Sequence, residues 1–294
     1  MYSSRYKRRS YTRRRPTRSK RGLVRRRRST YPSRRRRGRR ISNRKILNLT
    51  STKKVDRLQP VVVAADGTGA TGPLLVGTGF ASLFIATARN QSLSDWKSVR
   101  NTTTCYVRGY KEKLNITIGG GGTWSWRRIL FYYKGKDLRD AYADTGAGEQ
   151  YDTLGSGAGG IPQRAIGPIS NATQAIIEGI LFAGSGTQDW NDSFRATVDT
   201  ARVTLHSDKI KSFNPSNESG RVHNANYWYP VNKNIVYDDD ESGQSRVSSP
   251  YSVSSKAGCG DLYVYDLVRL ETPATSGEAS FKFWPEASYY WHEK

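Results

Sequence analysis

The residues with the strongest chemical signature are basic, and they come first. Arg5, Lys7, Arg8 and Arg9 open the series, followed by Arg13, Arg14, Arg15, Arg18, Lys20 and Arg21. Arg25, Arg26, Arg27 and Arg28 form one block, and Arg34, Arg35, Arg36, Arg37, Arg39 and Arg40 form another. Arg44, Lys45, Lys53 and Lys54 bring residues 1–54 to 24 Lys and Arg, with no Asp or Glu among them. The remaining 240 residues carry 24 basic and 25 acidic side chains. The formal charge of +23 therefore sits on one arm attached to a nearly neutral body. Guanidinium forks match phosphate oxygens, and Tyr2, Tyr6, Tyr11 and Tyr31 lie among them as groups able to stack on exposed bases. So many unrelieved cations point to nucleic-acid binding. A plain solvated tail is the bland alternative, and a nuclear-import signal can share the same residues.

Two further stretches are candidates. Trp124, Trp126, Arg127 and Arg128 alternate aromatic and cationic groups, which suits a stacking platform for single strands. The same pattern also fits a sandwich core. Asp238, Asp239, Asp240 and Glu241 form an acidic turn. Asp238, Asp240, Ser242 and Gly243 fall on the first, third, fifth and sixth positions of a calcium loop, but Ser249 stands where the bidentate Glu belongs. A solvated turn, a weak divalent site, and an acidic patch facing basic residues of a neighbouring subunit all remain open. Tyr290 and Trp291, in the aromatic C-terminal stretch, are candidate interface residues.

Catalytic signals are weak. Gly155, Gly157 and Gly160 match a dinucleotide fingerprint by letter, yet Pro162 follows at once and no strand precedes. His206, His223 and His292 lack a partner at ligand spacing. Cys105 and Cys259 make no paired motif, and the sequence identifies no base for Cys259. The expectation is a protein without enzymatic activity, metal or cofactor. No run of 18 apolar residues occurs, so no membrane helix is expected.

The elements that must hold these residues read as β. Leu23 and Val24 are the only aliphatic residues between Met1 and Ile41, so residues 1–54 are expected to be a disordered or extended arm. Residues 55–294 form the second domain. Leu74 to Thr87 reads as one buried strand with a bulge at its glycines. Cys105 and Val107 share a face, as do Leu114, Ile116 and Ile118, and the parity change between them predicts a bulge or turn across Lys111 to Lys113. Residues 134–170 read as a long irregular excursion. Ala175 to Phe182 fits either a helix or a strand. Asp189 is a candidate cap for a short helix carrying Trp190, Phe194 and Val198. Ala201, Val203 and Leu205 alternate with polar residues in a half-buried strand. About eight strands with Gly- and Ser-rich connections indicate an all-β sandwich or jelly roll.

Three phrases carry a family resemblance: MYSSRYKRR at residues 1–9, ISNRKILNLTSTKK at 41–54, and WPEASYYWHEK at the C-terminus. They closely resemble capsid proteins of genomoviruses of the gemycircularvirus type. More remotely, residues 231–243 resemble a strand and turn near the C-terminus of geminivirus coat proteins. The resemblance implies an eight-stranded viral jelly roll, 60 identical subunits in a T=1 shell, and a circular single-stranded DNA genome. It also implies passage through the host nucleus by the import machinery, and location in the virion. A non-viral β-domain protein with a basic nucleic-acid-binding tail is the competing reading.

Overall fold

The computed structural model describes residues 42–92, 94–145, 151–152, 161–215, 220–272 and 279–294. The chain divides into two units, Met1–Asn43 and Arg44–Lys294. In chain order the elements are helix α1 (Asn43–Thr50), which spans this boundary, then β1 (Thr52–Leu58), β2 (Pro60–Val63), β3 (Gly69–Thr71), β4 (Leu74–Val76) and β5 (Gly79–Ile85). Next come β6 (Thr104–Gly119), β7 (Thr123–Tyr133), α2 (Asp137–Asp144), β8 (Arg164–Ile166) and α3 (Asn171–Leu181). The chain ends with β9 (Thr204–Phe213), β10 (Arg221–Val236), the hairpin β11 (Asp240–Ser242) and β12 (Ser245–Val247), β13 (Asp261–Thr272) and β14 (Ser280–Glu293).

Eight of these strands make two antiparallel four-stranded layers, β1-β14-β6-β10 and β5-β13-β7-β9. Counted along the chain from one to eight, the orders are 1-8-3-6 and 2-7-4-5. First and last strands pair in one layer, second and seventh in the other. That is the eight-stranded jelly roll.

The two layers differ in how their sequences alternate. In β14, Phe281, Phe283, Ala287, Tyr289 and Trp291 are buried while Lys282, Trp284, Glu286, Ser288 and Tyr290 point the other way. This period of two marks a sheet with one covered face. In β5, β7 and β13 nearly every residue is buried. One face of that layer packs on the first sheet, through Phe84, Leu130, Tyr132, Leu262 and Val264. The opposite face, through Leu83, Ile129, Phe131, Tyr263 and Tyr265, packs on Leu138, Tyr142, Ile177 and Leu181 of α2 and α3. Helices thus cover the second sheet, and among the described residues no helical layer covers the outer face of the first sheet.

Several expectations need correction. Leu74 to Thr87 is not one strand: β4 pairs with β14 and β5 with β13, so the chain crosses between layers at Gly77 and Thr78. Gly79 has φ +155°, and a Cβ there would lie 2.5 Å from the Val268 carbonyl oxygen. The parity change in β6 falls at Arg108 and Gly109, not at Lys111 to Lys113, because the registers with both β10 and β14 slip there. The excursion 134–170 contains α2 and β8. Residues 175–181 belong to α3 and Phe182 is its extended C-cap; the N-cap Ser170 accepts a hydrogen bond from the Thr173 amide through Oγ at 3.2 Å. Asp189 caps no helix; its carboxylate accepts from the Ser185 amide at 2.7 Å, and Trp190 to Val198 is held by isolated bridges. Val203 is buried, but it precedes β9, and Leu205 is exposed.

Candidate nucleic-acid interface

Of the basic series, Arg5 through Arg40 lie outside the described residues. Arg44 and Lys45 fall on α1, where Lys45 is exposed. Lys54 belongs to the folded body: its ammonium is buried 3.1 Å from the Glu293 carboxylate, which also accepts from Trp291 Nε1 at 2.7 Å. The first and last strands are locked together by this contact.

Trp124, Trp126, Arg127 and Arg128 do not form a stacking platform. All four are buried, at 0%, 2%, 3% and 2% exposure. Their strand β7 lies between β13 and β9 with both faces covered, so alternation sends Trp124, Trp126 and Arg128 into the sandwich and Arg127 toward the segment after α3. Trp124 packs on Phe281, and Trp126 on Phe213 and Phe283. Removing one such ring from water is worth about 2–3 kcal/mol. Arg127 donates to Asp208, to the Ser193 carbonyl at 2.5 Å and to the Ala196 carbonyl at 2.8 Å.

Arg128 belongs to a buried ionic quartet with Glu112, Arg164 and Asp266. Arg128 Nε donates to Asp266 Oδ1 at 2.6 Å, and Nη1 donates to Glu112. Arg164 Nε reaches Glu112 Oε1 at 2.8 Å, and its Nη2 reaches Asp266 Oδ2 at 2.8 Å. Tyr110 donates to Glu112 at 2.8 Å, and Trp126 Nε1 donates to Asp266 at 2.9 Å. Two cations meet two anions, so net charge is zero and the carboxylates are saturated with donors, the condition under which buried charges are tolerated. Burial by itself would raise the Asp266 carboxyl, but Arg128 and then Arg164 hold it below the usual range. The quartet joins β6 of one sheet to β7 and β13 of the other, so its role is to tie the layers. Sequence reading missed it because Glu112 and Asp266 alternate with ordinary strand residues and Arg164 comes from a loop-flanked strand of three residues.

The acidic turn divides. Asp239 is not available to a neighbour: Arg100 grips its carboxylate with two hydrogen bonds of 2.7 and 2.9 Å and lies 3.9 Å over the Tyr237 ring. Desolvation would raise this carboxyl, yet the bonds and charge of Arg100 bring it below its ordinary value. Asp238, Asp240 and Glu241 are exposed, with Asp240 and Glu241 on the β11–β12 hairpin and Glu241 opposite Arg246. Trp291 is buried in its own subunit at 1% exposure, stacked 5.3 Å from Tyr289, because the C-terminal stretch is a central strand of the first sheet. Tyr290, pointing outward, is half-buried against Trp228 with ring centroids 5.6 Å apart.

The outer face of the first sheet is the surface that sequence reading did not assemble. Cross-strand register puts Arg57, Ser288, Lys111 and Trp228 in one row. Glu286, Lys113 and Asn226 form a second row, and Trp284, Asn115 and Asn224 a third. Lys53 and Lys282 stand toward the two ends. No ion pair joins these five cations to a described carboxylate. Glu286 is the only acid at the outward positions of the four strands. Trp228 is 48% exposed and Trp284 38%. Trp228 can lie across the sheet because Gly109 beneath it has no side chain; a Cβ there would meet the indole at 2.7 Å. A groove of about 520 Å³ runs past Arg57, Lys111, Lys113, Glu286 and Tyr290. His292, at the same end as Lys53 and Arg108, is held below its ordinary value by partial burial and then by those two cations. The signal in the sequence was the alternation Lys282, Trp284, Glu286, Ser288, Tyr290, with polar or aromatic residues at every second place.

No family model matches the chain, and no curated protein matches it. Similar solved structures are polyomavirus VP1 proteins. The Human Polyomavirus 6 VP1 pentamer is 10% identical over 83% of this chain and 95% of that chain, with a TM-score of 0.19. The unassembled Washington University Polyomavirus VP1 pentamer is 12% identical over 83% and 94%, with a TM-score of 0.17. Overlaps this slight carry no argument, and the jelly roll rests on strand order alone.

Proposed function

We propose that this chain is a structural capsid protein that assembles with copies of itself and packages nucleic acid through its basic N-terminal segment. The observation that carries the reading is segregation of charge. Twenty-four cations without one acid precede a jelly-roll body of net charge −1. A near-neutral body has little long-range self-repulsion, so copies can pack, while the arms repel one another and attract a polyanion. Phosphate contacts of this kind position a strand without reading its bases. The phrases shared with genomovirus capsid proteins favour a T=1 shell, circular single-stranded DNA, nuclear import through the same arginines, and residence in the virion. The reading assigns the chain no catalytic role.

The test combines size and salt. Purified full-length protein is expected to form particles of megadalton mass by light scattering and negative stain. Its affinity for single-stranded DNA should fall steeply with salt through counterion release. A truncation beginning at Ser42 removes 20 of the 24 cations. It should retain its β circular dichroism, lose most low-salt affinity, and give empty shells or none. Near-native affinity and salt slope in the truncated protein would refute packaging by the arm. A full-length protein that stays monomeric at all concentrations would refute the capsid reading.

A further inference from the structure

We infer that the outer face of the sheet β1-β14-β6-β10 is a second nucleic-acid site, one that takes the bases of a single strand on Trp228 and Trp284 while Arg57, Lys111, Lys113 and Lys282 hold its phosphates. The inference rests on the nucleic-acid reading above and adds a place and a contact chemistry to it.

The face combines the two features that single-strand binding needs, a cationic track and exposed aromatic rings. Trp228 sits opposite Lys111 and Trp284 opposite Asn115, four residues apart along β6 and on strands flanking it. At ~3.4 Å per residue and ~4.8 Å per strand the backbone positions of the two tryptophans are about 17 Å apart. A few nucleotides of extended strand cover that distance. Asn115, Asn224 and Asn226 lie between them, offering amide groups to base edges and phosphates, and Asn115 already donates to Asn224 at 2.7 Å. Lys282 lies 4.8 Å from the Trp284 ring, so one residue pair offers a cation and a stacking surface together.

Charge selects the occupant. The face presents five cations against Glu286 alone, so the chain's own basic segment and the same face of another copy are repelled from it. A polyanion with aromatic bases matches both the lysines and the indoles. Chain continuity adds to this: residues 42–51 lead directly into β1, the edge strand of this sheet, at the end that carries Lys53.

The experiment uses the full chain at about 0.5 M NaCl, where screening suppresses the arm's phosphate contacts and stacking persists. An oligodeoxynucleotide of roughly 15 bases carrying 5-iodouracil is photocrosslinked and the attachment sites are mapped by mass spectrometry. Attachment is expected at Trp228 and Trp284. Trp284→Ala should weaken this high-salt binding roughly tenfold with an unchanged melting curve, and Trp284→Phe should retain most of it. Lys111→Glu with Lys113→Glu should weaken binding at both high and low salt. Crosslinks confined to residues 1–54, or a Trp284→Ala protein that binds as the parent does, would overturn the platform and leave the arm reading intact. Failure of the full chain to bind the oligonucleotide at low salt would overturn both. If Trp228 and Trp284 become shielded with rising protein concentration and no oligonucleotide, and Asp240→Asn with Glu241→Gln abolishes the shielding, the face is a contact with a neighbour's acidic hairpin, and the platform is overturned.

Discussion

Asp266→Asn tests the ionic quartet most directly. Asp266 accepts hydrogen bonds from Arg128 at 2.6 and 3.1 Å, from Arg164 at 2.8 Å and from Trp126 at 2.9 Å. An amide of the same shape leaves two guanidiniums to share the single charge of Glu112. Arginine does not deprotonate in a protein, so the excess positive charge stays buried. Removing one partner from a buried ionic set costs about 3–5 kcal/mol. For a body of this size that corresponds to a melting temperature lowered by roughly 6–20 °C. The assay is thermal and guanidinium unfolding of dissociated subunits, followed by tryptophan fluorescence, to which Trp126 contributes from within the site. Asp208→Asn is the comparison: its carboxylate is 26% exposed beside Arg127, so water can take over, and a loss below about 2 kcal/mol is expected. The pH dependence has a defined sign. The folded Asp266 carboxyl lies below its unfolded value, so its contribution is complete above about pH 4–5 and is lost as pH falls through the folded value. The difference between parent and variant should therefore be flat from pH 5 to 7 and should narrow in stronger acid. A variant within about 1 kcal/mol of the parent at pH 7 would refute the argument that these charges compensate one another.

Other outcomes follow from single contacts. Gly109→Ala places a Cβ 2.6 Å from the Tyr229 carbonyl oxygen and 2.7 Å from the Trp228 ring, so unfolding should cost about 1–3 kcal/mol less and high-salt oligonucleotide binding should weaken with it. Burial chiefly pushes the Cys105 thiol up to about 12 and the Cys259 thiol up to about 11. Both should react slowly with a disulfide reagent at pH 8 in the native protein and rapidly in guanidinium; a fast native reaction at Cys105 would contradict its burial.

The sequence made the class of fold legible but not the partition of its strands between layers. Alternation at Cys105 and Val107, and at Leu114, Ile116 and Ile118, marked β6 as a strand with one covered face. Periodicity alone cannot say that Gly77 and Thr78 carry the chain from one sheet to the other, because both flanking runs are apolar for different neighbours. The failure at Trp124 to Arg128 has the same origin. An alternating aromatic and cationic strand is identical in sequence whether its arginines meet phosphates or carboxylates from distant strands. Here Glu112, Asp266 and Asp208 decide it, and the nearest of them is 16 residues away. Trp291 was misassigned because a chain end suggests freedom, whereas first-to-last strand pairing places it in the middle of a sheet.

The two sheets resolve a demand that the basic segment creates. A protein that gathers a polyanion needs a cationic surface, but cations laid over a thin core weaken it by repulsion and by shielding too little apolar area. In this chain the second sheet is sealed by α2 and α3 and supplies a two-sided apolar layer. The first sheet, buttressed from within by the quartet and the Lys54–Glu293 pair, can then leave its outer face to lysine, asparagine and exposed indole without further cover. The arginines that could not be exposed without repelling those lysines lie inside, each matched to a carboxylate: Arg128 and Arg164 to Glu112 and Asp266, Arg100 to Asp239, Arg127 to Asp208. On the outer face of the first sheet Arg57, Lys111, Lys113 and Lys282 stand without a carboxylate partner among the described residues, and Glu286 is the one acid at the outward strand positions. Reversing that face with Lys111→Glu and Lys113→Glu should therefore alter nucleic-acid binding far more than stability, because neither lysine has an ion-pair partner to lose among the described residues.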